Sequence, residues 1–180
     1  MDRTIAVFGA SQSVPRDGHY EEAVRCGELL ANAGFAVATG GYGGAMEAVS
    51  KGARSAGGHV IGITAPEVFA SRSRANDHVI VETRAASLTE RIGLLAGGTA
   101  GSIALWGSLG TATELLVAWN LAYVVRFGDR QRKPVVAVGE PWLSLVPHLE
   151  RTLGTDAGLV TVTVDVDTAV AHIVDALLGA

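Results

Sequence analysis

Short apolar runs alternate with longer helical stretches along the whole chain, and that alternation leaves few folds open. The first run is Thr4–Phe8, ended by Gly9. Further runs lie at 35–38, 59–63, 78–81, 101–106, 134–138 and 159–164. Between them the apolar residues recur at a helical period. Over 17–33 the stripe is Ala23, Cys26, Leu29, Leu30 and Ala33, and Gly34 closes it. Other helices are expected over 45–56, 111–126, 143–153 and 168–178, with one more opening at the capping box Ser87-Leu88-Thr89-Glu90. Strands joined by helices of this length pair in parallel. The expected fold is therefore α/β: a single doubly wound, mostly parallel sheet with helices on both faces. The run at 101–106 carries no charge, as suits a strand buried on both faces. Residues 65–77 lack apolar periodicity and contain Pro66, Arg72, Arg74, Asn76 and Asp77, which predicts a surface loop or lid.

Composition narrows the function classes. A chain of 180 residues without linker or repeat suits one domain, here 1–180. A formal charge of -4 argues against a nucleic-acid partner, which requires a positive footprint. Cys26 stands alone, so no internal disulfide is expected and a small buried hydrophobe is. The histidines are scattered, without the spacing of metal ligands on one helix face; neither a metal site nor a cofactor is expected. The uncharged stretch 92–113 is long enough to cross a bilayer. It holds six glycines between charged helices, which reads as helix end, strand and loop rather than a membrane span. The first apolar run is too short for a signal sequence, so a soluble, cytoplasmic protein is expected.

In doubly wound sheets, ligands bind beyond the carboxyl ends of the strands. Two glycine-rich loops fall there, 40–44 after the second strand and 107–110 after the fifth, each leading into a helix. Glycines admit a ligand close to the backbone, and the free N–H groups of a helix start hold an anion. Glycines also simply permit tight turns. The sequence lacks the P-loop motif, and the lone Gly9 after the first strand lacks the dinucleotide fingerprint. Trp106-Gly107-Ser108-Leu109-Gly110 approaches a nucleophile elbow, but Trp106 stands where the first glycine belongs. Such a triad would draw on Asp129, Asp156 or Asp165 with His172.

Glu114, a turn into the helix after the second loop, is the acidic candidate. Thr111-x-x-Glu114 is also a capping box, so the same residue has a purely structural reading. Arg91 follows the box at Ser87 and reads equally as a solvated helix arginine. Glu47 sits in the first turn after the 40–44 loop, where the helix dipole favours a carboxylate in any case.

The block Gly40-Gly41-Tyr42-Gly43-Gly44-Ala45-Met46-Glu47, followed by Ala56-Gly57-Gly58-His59-Val60-Ile61-Gly62, resembles the glycine-rich block of the "lysine decarboxylase-like" LOG family. Glu90-Arg91 and Gly107-Ser108-Leu109-Gly110-Thr111-Ala112-Thr113-Glu114 are similar to its E-R-K and P-G-G-x-G-T-x-x-E motifs. The resemblance spans nearly the whole chain and implies a Rossmann-like, nucleotide-binding fold. Family members release the base from nucleoside 5′-monophosphates, notably cytokinin ribotides; a related branch comprises non-catalytic molybdenum cofactor carriers. The resemblance implies that Arg91 and Glu114 are the catalytic pair of a phosphoribohydrolase. It also implies that Gly107, Ser108, Leu109, Gly110 and Thr111 form the phosphate-binding loop. Gly41, Gly43, Gly44, Met46 and Glu47 would complete the substrate-binding set, with Met46 and Trp106 flanking the base or packing. Two departures stand out: Trp106-Gly107-Ser108 replaces Pro-Gly-Gly, and Ile92 replaces the lysine after the arginine, removing a cation.

The helix expected over 111–126 is apolar nearly all round, with only Asn120 strongly polar between Leu115 and Val125. A helix lying on its own sheet needs one apolar stripe, so a second chain is expected to cover the other side. The resemblance also implies a homodimer or larger assembly. The competing expectation is that segment 141–153 or the last helix supplies the cover.

Overall fold

The computed structural model describes residues 3–72, 74–125 and 132–179. Seven parallel strands form one sheet in the order β4-β3-β2-β1-β5-β6-β7. They are β1 (Thr4–Phe8), β2 (Ala36–Thr39), β3 (Val60–Thr64), β4 (Val81–Arg84), β5 (Gly101–Ala104), β6 (Val135–Val138) and β7 (Thr161–Thr163). The helices are α1 (Gly18–Asn32), α2 (Ala45–Ser55), α3 (Leu88–Ile92), α4 (Leu109–Val125), α5 (Trp142–Leu153) and α6 (Val166–Leu178). Helix α3 runs on into a π-helical turn, Gly93–Gly97. The order reverses between β1 and β5, which pair directly: Phe8 lies opposite Ala104. That reversal is where the loops leaving the sheet part and open a crevice.

Each face of the sheet has its own core. On one, Ile5, Val7, Val37 and Ile103 pack against α1, α2 and α6 through Cys26, Leu30, Val49 and Ile173. On the other, Phe8, Ile63 and Ala137 meet Leu95 of the π turn, Leu115 and Trp119 of α4, and Trp142 of α5. Helices α1 and α2 cross at glycines: a Cβ on Gly27 would lie 2.1 Å from the Val49 carbonyl oxygen, and one on Gly52 1.9 Å from that of Val24. Burial in this core pushes the Cys26 thiol up to about 12.

The doubly wound sheet matches expectation, with shifts at element ends. The largest shift is β4, expected at 78–81 and found at Val81–Arg84. The apolar Val79 packs towards Gly62, and the His78 N–H bonds to Asn76 Oδ1, so 76–80 is a turn entering the sheet. The strand itself is an exposed, mostly polar edge without an apolar signature. Strand β5 ends at Ala104, before Leu105 and Trp106. Helix α4 begins at Leu109, two residues earlier than expected, while Arg126 lies outside the described residues.

Helix α4 buries Leu115, Ala118, Trp119 and Ala122 against the sheet. Its other side leaves Leu116, Leu121, Tyr123 and Val124 exposed. Helix α6 packs on the opposite face of the sheet and does not cover it. Among the described residues, no helix is long and apolar enough to cross a membrane.

Candidate functional site

The carboxyl ends of β2, β3 and β5 surround one buried ion pair. Arg91 comes from α3, whose start is held by the expected capping box: the Glu90 N–H donates to Ser87 Oγ at 3.1 Å, and the Glu90 carboxylate accepts from Ala86 N–H at 2.6 Å. The Arg91 side chain turns inward and is 6% exposed. Its Nε donates to the Ile63 carbonyl at 2.8 Å and its Nη2 to the Gly40 carbonyl at 3.1 Å. Its Nη1 meets Glu114 Oε1 at 3.4 Å. Gly40 makes room for this guanidinium, because a Cβ there would sit 1.7 Å from Nη2. Met46 packs from below, its sulfur 3.7 Å from Nη2. The rings of Tyr42 and Phe69 lie alongside, each centroid 5.8 Å from the guanidinium carbon.

Glu114 is 9% exposed and belongs to α4. Burial raises its carboxyl to about 7, with the Arg91 charge pulling the other way. Burial likewise lowers the Arg91 guanidinium, opposed by Glu114, though an arginine stays protonated throughout. The capping-box reading of Thr111-x-x-Glu114 fails on geometry. The first helical bond runs from the Ala112 N–H to the Ser108 carbonyl, so Thr111 already lies inside the helix. Thr111 Oγ1 is buried and makes no hydrogen bond. That hydroxyl points into the turn at Gly107, where a Cβ would lie 2.1 Å from it. Ser108, Leu109 and Gly110 form the exposed start of α4, with Leu109 83% exposed. A helix leaves its first N–H groups without intrahelical partners. The 107–111 turn thus joins unpaired donors to a buried hydroxyl with nothing to bond.

The loop at 40–44 is used differently along its length. Gly41 has φ +77°, donates its N–H to Thr39 Oγ1 and offers its carbonyl to Asn76. Gly44 has φ +72° and abuts Ala10 and Ser11, where a Cβ would clash at 2.5 Å. Gly43 and Glu47 face an open cleft of roughly 570 Å³ together with Ser11, Tyr42, Arg72 and Asn76. Asn76 donates to the carbonyls of Gly41 and Tyr42, tying the 65–77 segment to this loop. Trp106 stacks on His19, rings 4.5 Å apart and 6° from parallel, so one face of the indole is already covered. Ser13 Oγ, in the loop after β1, is a second buried hydroxyl without a hydrogen bond.

Among the described residues the hydrolase triad does not assemble. His172 bonds to Thr161 at the β7 edge, while Asp156 and Asp165 cap a 3-10 turn and α6. Asp129 lies outside the described residues. Among the described residues no group of three or more His, Cys, Asp or Glu is placed to hold a metal.

Of the residues singled out in the sequence, Arg91, Glu114 and Met46 lie together beside Gly40, while Gly43 and Glu47 line the open cleft. Tyr42, Phe69, Arg72 and Asn76, which the sequence did not single out as candidate site residues, surround the same region. Tyr42 lay inside the glycine motif, and the others sit in an aperiodic segment where pattern carries no information.

The sequence model of the SLOG cluster4 family matches residues 2–145. The chain belongs to that family. It is 31% identical over 145 residues to the cytokinin riboside 5′-monophosphate phosphoribohydrolase of Mycobacterium tuberculosis, covering 78% of this chain and 72% of that protein. In structure it resembles the molybdenum cofactor carrier protein of Chlamydomonas reinhardtii, with TM-score 0.78, 27% identity and 100% of each chain covered. A molybdenum cofactor binding protein from Rippkaea orientalis shares the fold at TM-score 0.76 and 24% identity, with 96% of each chain covered. The protein is a LOG-family member with a Rossmann-like α/β fold.

The raised Glu114 carboxyl sets a pH dependence of stability. A group whose folded-state pKa exceeds its ordinary value favours folding when protonated, so its contribution is complete below about 4.5 and is lost as pH rises through about 7. Thermal melting of the wild type should therefore fall relative to Glu114→Gln between about pH 5 and about pH 8. The opposite trend would mean that attraction to Arg91 outweighs burial.

Proposed function

We propose that this protein hydrolyses the N-glycosidic bond of a purine nucleoside 5′-monophosphate, of the cytokinin or AMP type. The observation that carries this reading is the buried Arg91–Glu114 pair, which no helix cap explains. In the proposed arrangement the 5′-phosphate rests on the N–H groups of residues 107–111 and on Thr111 Oγ1. The unpaired hydroxyl supports that placement. The ribose then lies towards Glu114. Breaking the bond between C1′ and the base nitrogen builds positive charge on the sugar. A carboxylate beside it stabilises that charge or takes a proton from the attacking water. Water adds to C1′, the base leaves with a proton, and the products are free base and ribose 5-phosphate. Arg91 holds Glu114 in place and favours its ionised form at the moment of reaction. Gly43 and Glu47, which line the open cleft with Ser11 and Arg72, complete the substrate-binding set in this reading.

A second reading is a carrier that binds a phosphate-bearing cofactor without turnover. It is favoured by the likeness to the Chlamydomonas carrier over the full chain and by Ile92 in place of a lysine. Incubation with AMP separates the two: released adenine supports hydrolysis, and unchanged AMP with measurable binding supports the carrier. If the protein hydrolyses AMP, kcat/KM should rise with pH through about 7, as Glu114 ionises. Glu114→Gln should lower the rate on the order of 10²-fold or more. Full activity in that variant would remove Glu114 from the chemistry.

We also propose that two copies pair through the outer side of α4. Leu116, Leu121 and Val124 are exposed there, and Asn120 and Thr113 are the polar residues among them. A patch of this kind is a liability on a monomer. Light scattering at micromolar concentration should give at least twice the 18.5 kDa chain mass, and Leu121→Glu should shift it towards the monomer. A monomeric wild type would contradict the pairing.

A further inference from the structure

The arginine of the buried pair is not free to meet a phosphate. Arg91 is buried, and its Nε, Nη1 and Nη2 already bond to Ile63, Glu114 and Gly40. The position after it is Ile92, itself buried. Arg74 pairs with Asp77. Arg72 is different. Among the described residues it has no carboxylate within ion-pair distance, and it lines the open cleft beside Tyr42 and Gly43. Its guanidinium carbon lies 5.4 Å from the Tyr42 ring centroid and 5.5 Å from that of Phe69. Arg91 rests against the same two rings, so the aromatic pair holds one arginine within the core and one at the cleft. Such a seat limits the conformational freedom that a surface arginine otherwise loses on binding.

The direction in which Arg72 reaches matters most. Its Nη2 donates to Ser11 Oγ at 3.4 Å, across the cleft from the β3–β4 segment to the loop after β1. The residue before Ser11 is fastened to the second glycine turn: the Ala10 N–H donates to the Trp106 carbonyl at 3.2 Å. Ser11 and Gly107 therefore start one residue beyond the same hydrogen bond, at the reversal between β1 and β5. An arginine extended to Ser11 therefore reaches the loop that is bonded to Trp106, the residue just before the 107–111 turn.

We infer that Arg72 binds the phosphate of the nucleotide from the side opposite the 107–111 turn and takes over the charge that Ile92 does not supply. This inference rests on the reading that the site takes a nucleoside 5′-monophosphate. A guanidinium suits the task because its planar fork matches two phosphate oxygens at once. The ligand class that follows is a monoester with a free terminal phosphate, and a nucleoside without one gains nothing from Arg72.

Calorimetric titration of AMP and of adenosine into wild type, Arg72→Ala and Arg72→Lys tests this. Arg72→Ala should weaken AMP binding by roughly 10-fold or more and leave adenosine binding unchanged, so the preference for AMP over adenosine collapses. Arg72→Lys, which keeps the charge but not the fork, should retain part of that preference. If Arg72 only shields Tyr42 and Phe69, Arg72→Ala lowers both affinities equally, and that result overturns the inference. An unchanged AMP affinity overturns it as well, while leaving the nucleotide reading intact. A wild type that binds no AMP overturns the nucleotide reading and this inference with it. Should Arg72→Ala fail to fold, the AMP-to-adenosine ratio of Arg72→Lys decides: equality with wild type contradicts a forked phosphate contact.

Discussion

The guanidinium of Arg91 is buried among a backbone carbonyl of β3, the carbonyl of Gly40, the sulfur of Met46 and the carboxylate of Glu114. Much of the carboxyl end of the sheet is arranged around it. A buried charge is tolerated only when paired and hydrogen-bonded, and removing one partner of such a pair typically costs about 3–5 kcal/mol. The need to satisfy this one group accounts for Gly40, whose missing side chain leaves it space. It accounts equally for the inward turn of the Arg91 side chain from α3. Its partner carboxylate is held in a setting where burial and attraction oppose each other. Burial prevails and leaves Glu114 close to neutrality in its titration, a condition suited to exchanging protons or answering a developing charge.

The topology places that pair at the carboxyl end of the sheet, near the reversal of strand order. Because the strand order reverses between β1 and β5, the loops leaving these strands diverge. Trp106-Gly107 and Ala10-Ser11 flank the opening, joined by the bond from Ala10 to Trp106. On one side α4 presents its first N–H groups with the Thr111 hydroxyl beneath them. On the other side the 40–44 loop and the 65–77 segment, tied together by Asn76, carry Glu47, Tyr42 and Arg72. The same α4 that starts at the 107–111 turn carries Glu114 one turn in. It then continues as the apolar rod whose outer side is left uncovered.

Much of this was readable in the sequence. Alternating apolar runs and helical stripes predicted the doubly wound sheet, because burial on both faces makes such strands uniformly apolar. The exception was β4, an exposed edge whose Val81-Glu82-Thr83-Arg84 has no apolar period; the nearby apolar Val79 and Ile80 drew the expectation three residues early. Arg91 and Glu114 could be named from motif spacing. Their pairing was implied by the family resemblance and not by local pattern, in which each also had a structural role as a surface arginine or a helix cap. Only the start of α4 at Leu109 separates those roles, and a two-residue shift of a helix end is beyond what pattern resolves. Arg72 and Asn76 were invisible as site residues for a different reason. Their positions are set by contacts to Tyr42 and Gly41, some 30 residues away in the chain.

In the proposed function the Arg91–Glu114 pair faces a nucleotide whose phosphate sits on the start of α4. A crystal structure of the protein with AMP tests it most directly. Phosphate oxygens are expected within hydrogen-bond distance of the N–H groups of residues 107–111 and of Thr111 Oγ1, with the ribose over Glu114. A structure in which those N–H groups turn away from the cleft, and AMP lies elsewhere or leaves the Thr111 hydroxyl unpaired, would contradict it.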